Sequence, residues 1–156
     1  MEGIDDWDKA SSFDAAHPRR STSSLEAMRD WTAIPTFDRV DLTESFILSW
    51  AAEIGVVAFE VDFALAAGHP DHREPRPGER ACFRRGILKF PNVRSIVGLP
   101  PMSDVRSAVD AAGEIDYGHF DSFVEMEAGQ FKVSGDFGVF HVTSDQPTIA
   151  VHADRL

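Results

Sequence analysis

The clearest signal in the chain is a two-residue period: Val57, Phe59, Val61, Phe63 and Leu65 alternate with Ala58, Glu60, Asp62 and Ala64. Successive side chains on a strand point to opposite faces, so this segment is predicted to be a strand with one core face and one wet face. Phe46 to Ala52 lead into it through Ile54-Gly55, which predicts a hairpin with a Gly-containing turn. A third strand begins at Arg80-Ala81-Cys82-Phe83. Ala81 and Phe83 share one parity while Leu88 and Phe90 share the other, so a bulge is predicted near Arg85-Gly86. Further on, Phe120, Val124 and Met126 fall in one phase, Ala128-Gly129 makes a turn, and Phe131 and Val133 follow. Gly135-Asp136-Phe137-Gly138 then breaks the alternation, Phe140 and Val142 resume it in the other phase, and Ile149 and Val151 mark a last strand.

Helical signals are few. Ser23-Ser24-Leu25-Glu26 has capping-box spacing and precedes Leu25, Met28 and Trp31, predicting a short helix that ends near Pro35. Ser103 can cap a second one bearing Val105, Ala108, Val109 and Ala112, closed by Gly113. Residues 66–79, with three prolines and two glycines, form a longer connection than most hairpins need. The expected fold is mainly β: an antiparallel β-sandwich or flattened barrel of about seven to nine short strands with one or two short helices. Residues 1–22 lack a sustained apolar period and read as a flexible, acidic and Ser-rich tail. Residues 23–156 read as a single β-rich domain.

Composition narrows the class. Eleven of the twelve phenylalanines lie after residue 33, which puts the core there. No window approaches the run of about 18 apolar residues that would cross a bilayer, and the start, MEGIDDWDK, is acidic where a signal peptide is basic and then apolar. Cys82 is the only cysteine, so no internal disulfide can form and a reducing, cytoplasmic setting is expected. Twelve arginines against three lysines read as the codon bias of a GC-rich, bacterial genome. A formal charge of −11 argues against nucleic acid, because phosphates are held by surplus Lys and Arg. The charge is uneven: residues 73–94 hold seven basic against two acidic side chains, between two acidic segments. Ion pairing within the fold is the simplest use of that stretch, with pairing between subunits or a basic patch as alternatives.

Candidate chemistry is sparse. His69-Pro70-Asp71-His72 offers two imidazoles and a carboxylate, but zinc sites usually take three or four protein ligands, and only Glu74, His119 or His141 could complete the set. No metal and no cofactor is expected. Tyr117, His119 and Asp121 would share one strand face as a polar patch, where a histidine beside a carboxylate can serve as a general base. Residues two apart stand roughly 7 Å from each other, too far for a direct bond without a bend. Glu60 and Asp62 form a carboxylate pair whose simpler use is cross-strand pairing with Arg84, Arg85 or Lys89. Asp136-Phe137-Gly138 matches a kinase tripeptide without the remaining kinase motifs, and Cys82 reads as a buried, inert thiol.

The missing catalytic motifs and the acidic charge favour a non-enzymatic binding or interaction domain over an enzyme. Its expected partner is a protein, or a second copy of itself, and not nucleic acid or a membrane. Immunity-type inhibitors, which neutralise basic toxin proteins, share this size and charge. The alternatives are a β-barrel holding a small apolar ligand, suggested by the Phe-rich strands, and an enzyme using His119 with Asp121 or a metal on His69 and His72.

Overall fold

The computed structural model describes residues 28–111 and 113–152. The expected tail, and the capping-box residues 23–26, lie outside the described residues. Eleven strands run through the described chain: β1 (Arg29–Asp30), β2 (Val40–Glu53), β3 (Val56–Leu65), β4 (Cys82–Pro91), β5 (Ser95–Val97), β6 (Ala108–Val109), β7 (Ile115–Asp116), β8 (Phe120–Glu127), β9 (Gln130–Gly135), β10 (Gly138–Thr143) and β11 (Thr148–Val151). Eight have three residues or more, and β1, β6 and β7 have two. A five-stranded sheet has the order β1-β8-β9-β10-β5, a four-stranded sheet the order β11-β4-β3-β2, and β6-β7 form a separate hairpin. All pairings within these sheets are antiparallel.

The two large sheets face each other through phenylalanines. Phe59 of β3 meets Phe120 and Phe140 of the facing sheet at ring-centroid distances of 5.6 and 5.7 Å. Phe90 of β4 meets Phe123, Phe131 and Phe140 at 5.7, 5.9 and 6.2 Å. Phe37, from a 3₁₀ turn, meets Phe123 edge-on at 5.0 Å. The arrangement is a sandwich, and the sheets do not close into a barrel. These rings pack between the sheets and form the centre of the core.

The period-2 reading of β3 holds: Val57, Phe59, Val61, Phe63 and Leu65 are all buried. The hairpin through Ile54-Gly55 also forms, with Glu53 opposite Val56, and so does the phase change across β9 and β10, where Gly135 pairs with Gly138 around Asp136-Phe137.

Four expectations are corrected. No bulge occurs at Arg85-Gly86, since β3 and β4 pair without a shift from Val56↔Pro91 to Leu65↔Cys82. The inward residues of β4 are Cys82, Gly86, Leu88 and Phe90, and Phe83 lies against Phe46 at 5.6 Å instead. A glycine was the hidden inward residue: a Cβ at Gly86 would stand 2.4 Å from the Ala150 carbonyl oxygen and 3.1 Å from the Phe63 ring. Second, the phase of β8 differs. Register shifts against β9 fall on either side of it, so Phe120, Phe123 and Glu125 face inward while Val124 and Met126 are half-buried.

Third, around Trp31 the chain forms β1 and a 3₁₀ turn, Trp31–Ala33, capped by the Asp30 carboxylate. Fourth, after Pro101 a 3₁₀ turn, Met102–Asp104, leads into the extended β6, so no α-helix occurs among the described residues. In both places tertiary pairing overrode a weak local signal.

Phe59 touches Trp50, Phe120, Phe137 and Phe140. Phe59→Ala is therefore expected to lower stability by about 3–5 kcal/mol, read from urea unfolding followed by tryptophan fluorescence. A loss below about 1 kcal/mol would mean that the rings do not hold the sheets together.

Candidate functional site

The outer face of the four-stranded sheet carries the polar positions of β3. Antiparallel register sets Asp62 opposite Arg85, and Glu60 between Ser49 on one side and Ile87 on the other. Two segments rise at the borders of this face, the β3-β4 connection (residues 66–81) and the β6-β7 hairpin, and together they enclose an open groove of about 1150 Å³. Glu60, Asp62, Phe83, Arg84 and Arg85 line it from β3 and β4. Arg73, Arg76 and Glu79 line it from the connection, Asp110 and Glu114 from the hairpin, and His152 from the end of β11.

Arg85 is the hub. Its Nε donates to Asp62 Oδ1 at 3.1 Å, and its Nη2 reaches Glu114 Oε1 at 3.0 Å, which ties the hairpin to the sheet. Hydrogen bonding to Asp62, joined by the charges of Asp62 and Glu114, raises the Arg85 pKa above its ordinary value against the opposing effect of burial. Arg73 pairs with Glu79 at 3.3 Å, and Glu79 also accepts the Arg76 amide at 2.8 Å. That amide bond leads the effects that hold the Glu79 carboxyl below its usual range. Arg84 donates to the carbonyls of Asp71 at 2.6 Å and His152 at 2.9 Å, binding the connection to the end of β11.

Beyond the groove, Arg80 reaches Glu44 at 3.1 Å and Arg94 reaches Asp145 at 3.3 Å. The basic stretch is thus used largely within the fold. Of the cross-strand pairs expected for Glu60 and Asp62 with Arg84, Arg85 or Lys89, Arg85 with Asp62 forms, whereas Glu60 falls opposite Ile87 and pairs with none of the three. The Glu60 carboxylate accepts a 3.4 Å hydrogen bond from Ser49 Oγ. A second, smaller recess of about 350 Å³ adjoins at Phe83, lined by Ala64, Leu65, Ala66 and Ala81 beneath Asp41, Glu44 and Arg80.

Tyr117, His119 and Asp121 do not assemble. The Tyr117 ring packs edge-on against Trp50 at 5.2 Å. His119 Nδ1 lies 2.9 Å from the Ser45 carbonyl, which makes it the protonated nitrogen, and its ring rests 4.4 Å from Phe46. Asp121 is exposed at a register shift of β8. No hydrogen bond or ion pair joins any two of the three. In the 66–79 connection, His69 Nδ1 accepts the Asp71 amide at 3.0 Å and lies 3.9 Å from Asp71 Oδ2, and the His72 amide donates to the His69 carbonyl. Among the described residues no three His, Cys, Asp or Glu side chains are grouped so as to hold a metal. His141 is exposed on β10. Cys82 is buried, with the Arg73 amide 3.4 Å from its Sγ.

Sequence reasoning missed Asp110 and Glu114, which it placed in and just beyond an expected helix. It also missed Glu125, the most enclosed carboxylate described, at 3% side-chain exposure. Glu125 receives Arg29 on Oε1, and the Gly129 amide at 3.0 Å and Gln146 Nε2 at 2.7 Å on Oε2. Gly129 presents that amide from a left-handed turn, φ +78°, which a side chain would strain. An acidic residue at inward parity two places from Phe123 was the available signal, hidden by the register shift at Asp121.

In comparisons with known proteins, no family, no curated protein and no solved structure matches this chain. No helix among the described residues is long and apolar enough to cross a membrane.

Burial pushes the Glu125 carboxyl upward, but the hydrogen bonds from Gly129, Arg29 and Gln146, with the Arg29 charge, outweigh it and hold the pKa below the ordinary 4.5. A depressed carboxylate pKa stabilises the fold fully above the unfolded value, and that contribution disappears as pH falls through the folded value. Stability is therefore expected to decline as pH drops below about 4.5, and Glu125→Gln should flatten the decline while lowering stability at pH 7 by about 1–3 kcal/mol. Urea unfolding between pH 7 and pH 3 checks this, and an unchanged slope in the variant would remove Glu125 as the cause.

Proposed function

We propose that this chain is a non-enzymatic binding domain that receives a basic segment of a protein partner in the groove on its four-stranded sheet. The observation that carries the reading is Glu60. On the groove floor, its carboxylate accepts one long hydrogen bond, beside Asp62 and within the same recess as Asp110 and Glu114. A partly enclosed carboxylate with unused acceptor capacity gains more from an incoming guanidinium or ammonium than an exposed one does, because water screens it less. The chain's charge of −11 adds long-range attraction for a basic partner, speeding encounter at low salt.

The groove is open and polar, which suits a protein segment better than a buried small molecule. His69 and His119 are hydrogen-bonded in separate segments of the chain, which favours binding over acid-base chemistry at either. Neutralisation of a basic toxin-like protein, as by immunity-type inhibitors, is the biological setting that this size and charge fit.

Titration with an Arg- and Lys-rich peptide in low salt, followed by NMR, is expected to shift the amides of Glu60, Asp62 and Glu114 in a saturable way. The double variant Glu60→Gln, Glu114→Gln should weaken binding about tenfold, as expected from roughly 0.7 kcal/mol for each of the two ion pairs. Shifts scattered over the surface, or equal binding of a Glu-rich peptide, would refute the groove as the site.

A further inference from the structure

Antiparallel sheets end in strands with unpaired amides and carbonyls, and folded proteins blunt such edges with charge, proline, bulges, brevity or a cover. Three of the four edges here are blunted. β1 has two residues, both charged, and β5 has three. β2 is irregular and covered: the Tyr117 amide donates to the Ile47 carbonyl at 2.7 Å, the Ile47 amide to the Gly118 carbonyl at 2.8 Å, and the Trp50 amide faces Met102 Sδ at 3.4 Å.

The fourth edge, β11, is the least protected: Thr36 Oγ1 caps the Pro147 carbonyl just before it at 2.7 Å, but among the described residues no hydrogen bond beyond the β4 ladder reaches Thr148–Val151. Its sequence is Thr148-Ile149-Ala150-Val151, without charge or proline, and it pairs with β4 through consecutive partners without a bulge. The ladder also says which groups face outward. The His152 amide donates to the Arg85 carbonyl at 2.8 Å, so by antiparallel alternation the polar groups of 148, 150 and 152 turn toward β4. Those of Ile149 and Val151 turn toward the open edge.

We propose that this edge is a homodimer interface in which β11 pairs antiparallel with β11 of a second copy, about a twofold axis at Ala150. In this register Ile149 of each copy exchanges both main-chain hydrogen bonds with Val151 of the other, satisfying every outward group of the two residues. Ala150 faces its counterpart at the close, non-hydrogen-bonded position, where Cα atoms approach to about 4.5 Å and a small side chain fits. Thr148 falls opposite His152 of the other copy.

Charge permits the pairing. The strand is neutral, and Arg85 is already matched by Asp62 and Glu114. Lys89, beside Thr148, would stand three strand spacings, about 14 Å, from Arg85 of the other copy, beyond the screening length of about 8 Å at physiological salt. The pairing merges two four-stranded sheets into one continuous sheet and does not depend on what the groove binds. Four main-chain hydrogen bonds with small side-chain contacts make a modest interface, so association is expected in the range of about 10 µM to 1 mM.

Sedimentation equilibrium across that range is expected to show the mass rising from 17.2 kDa toward twice that value. Ala150→Cys should form an interchain disulfide on oxidation, whereas the wild type, whose one cysteine is buried, should not. Val151→Pro removes an amide aimed at the open edge and spares those bonded to β4. It should keep the wild-type circular dichroism and abolish association. Four results would each overturn the proposal: a monomer at about 1 mM, a dimer that Ala150→Cys does not cross-link, association unchanged in folded Val151→Pro, or slow hydrogen exchange at Ile149 and Val151 in dilute monomer, which would mean the chain itself covers this edge.

Discussion

Face-to-face packing of the two sheets through phenylalanine is the constraint from which the other features of this structure follow. Phe59 and Phe90 stand on adjacent strands of one sheet and reach into β8, β9 and β10 of the other. Each large aromatic buries roughly 150–250 Å², and offset or edge-on ring pairs add about 0.5–1.5 kcal/mol beyond that area. A core made this way tolerates little slippage, because moving a strand by one residue would carry its rings to the solvent face. It also explains Gly86: between Phe63 and the backbone of Ala150 there is room for a hydrogen and not for a methyl group.

With the inner faces committed to rings, every charged group of β3 and β4 must lie outside or at the rim, and there the opposite charges find one another. The basic stretch from Arg73 to Arg94 is spread along the connection, β4 and its continuation, and acidic groups distant in sequence meet it: Glu44, Asp62, Glu114 and Asp145. Such exposed pairs are individually worth about 0–1 kcal/mol, so their main effect is geometric. Arg85 holds the β6-β7 hairpin beside the sheet, and Arg84 ties the 66–79 connection to the end of β11, so the groove is a by-product of how the loops are fastened. Val109 and Ile115, at 65% and 54% exposure, show how little else the hairpin buries.

Glu125 is the exception to charges outside. It sits at an inward-facing position, with two amide donors on one oxygen and Arg29 on the other. A buried carboxylate without such partners would lose several kcal/mol. Here it joins β1 to β8 and the β8-β9 turn to Gln146, so one side chain organises three separate segments.

The sequence alone determined the fold class, the position of β3, the two glycine turns and the phase change around Asp136-Phe137, because each is written in local alternation or in a residue needed for a turn. It also held the expectation that Arg84, Arg85 or Lys89 would answer Glu60 and Asp62, since adjacent strands follow from the chain, but which of them met, Arg85 with Asp62, was set by the register. Only the tertiary structure decided the rest. Gly86 and Cys82 are inward residues without an aromatic signature, so parity counted on Ala81 and Phe83 pointed the wrong way. The register shifts of β8 exchanged Val124 for Glu125 at the core face, and a shift of one residue leaves no local mark. Tyr117, His119 and Asp121 alternate as a strand face would, yet packing against Trp50 and Phe46 drew the first two apart from the third. The groove joins residues 60–62, 73–85, 110–114 and 152, and its assembly depends on long-range pairing that no window of sequence contains.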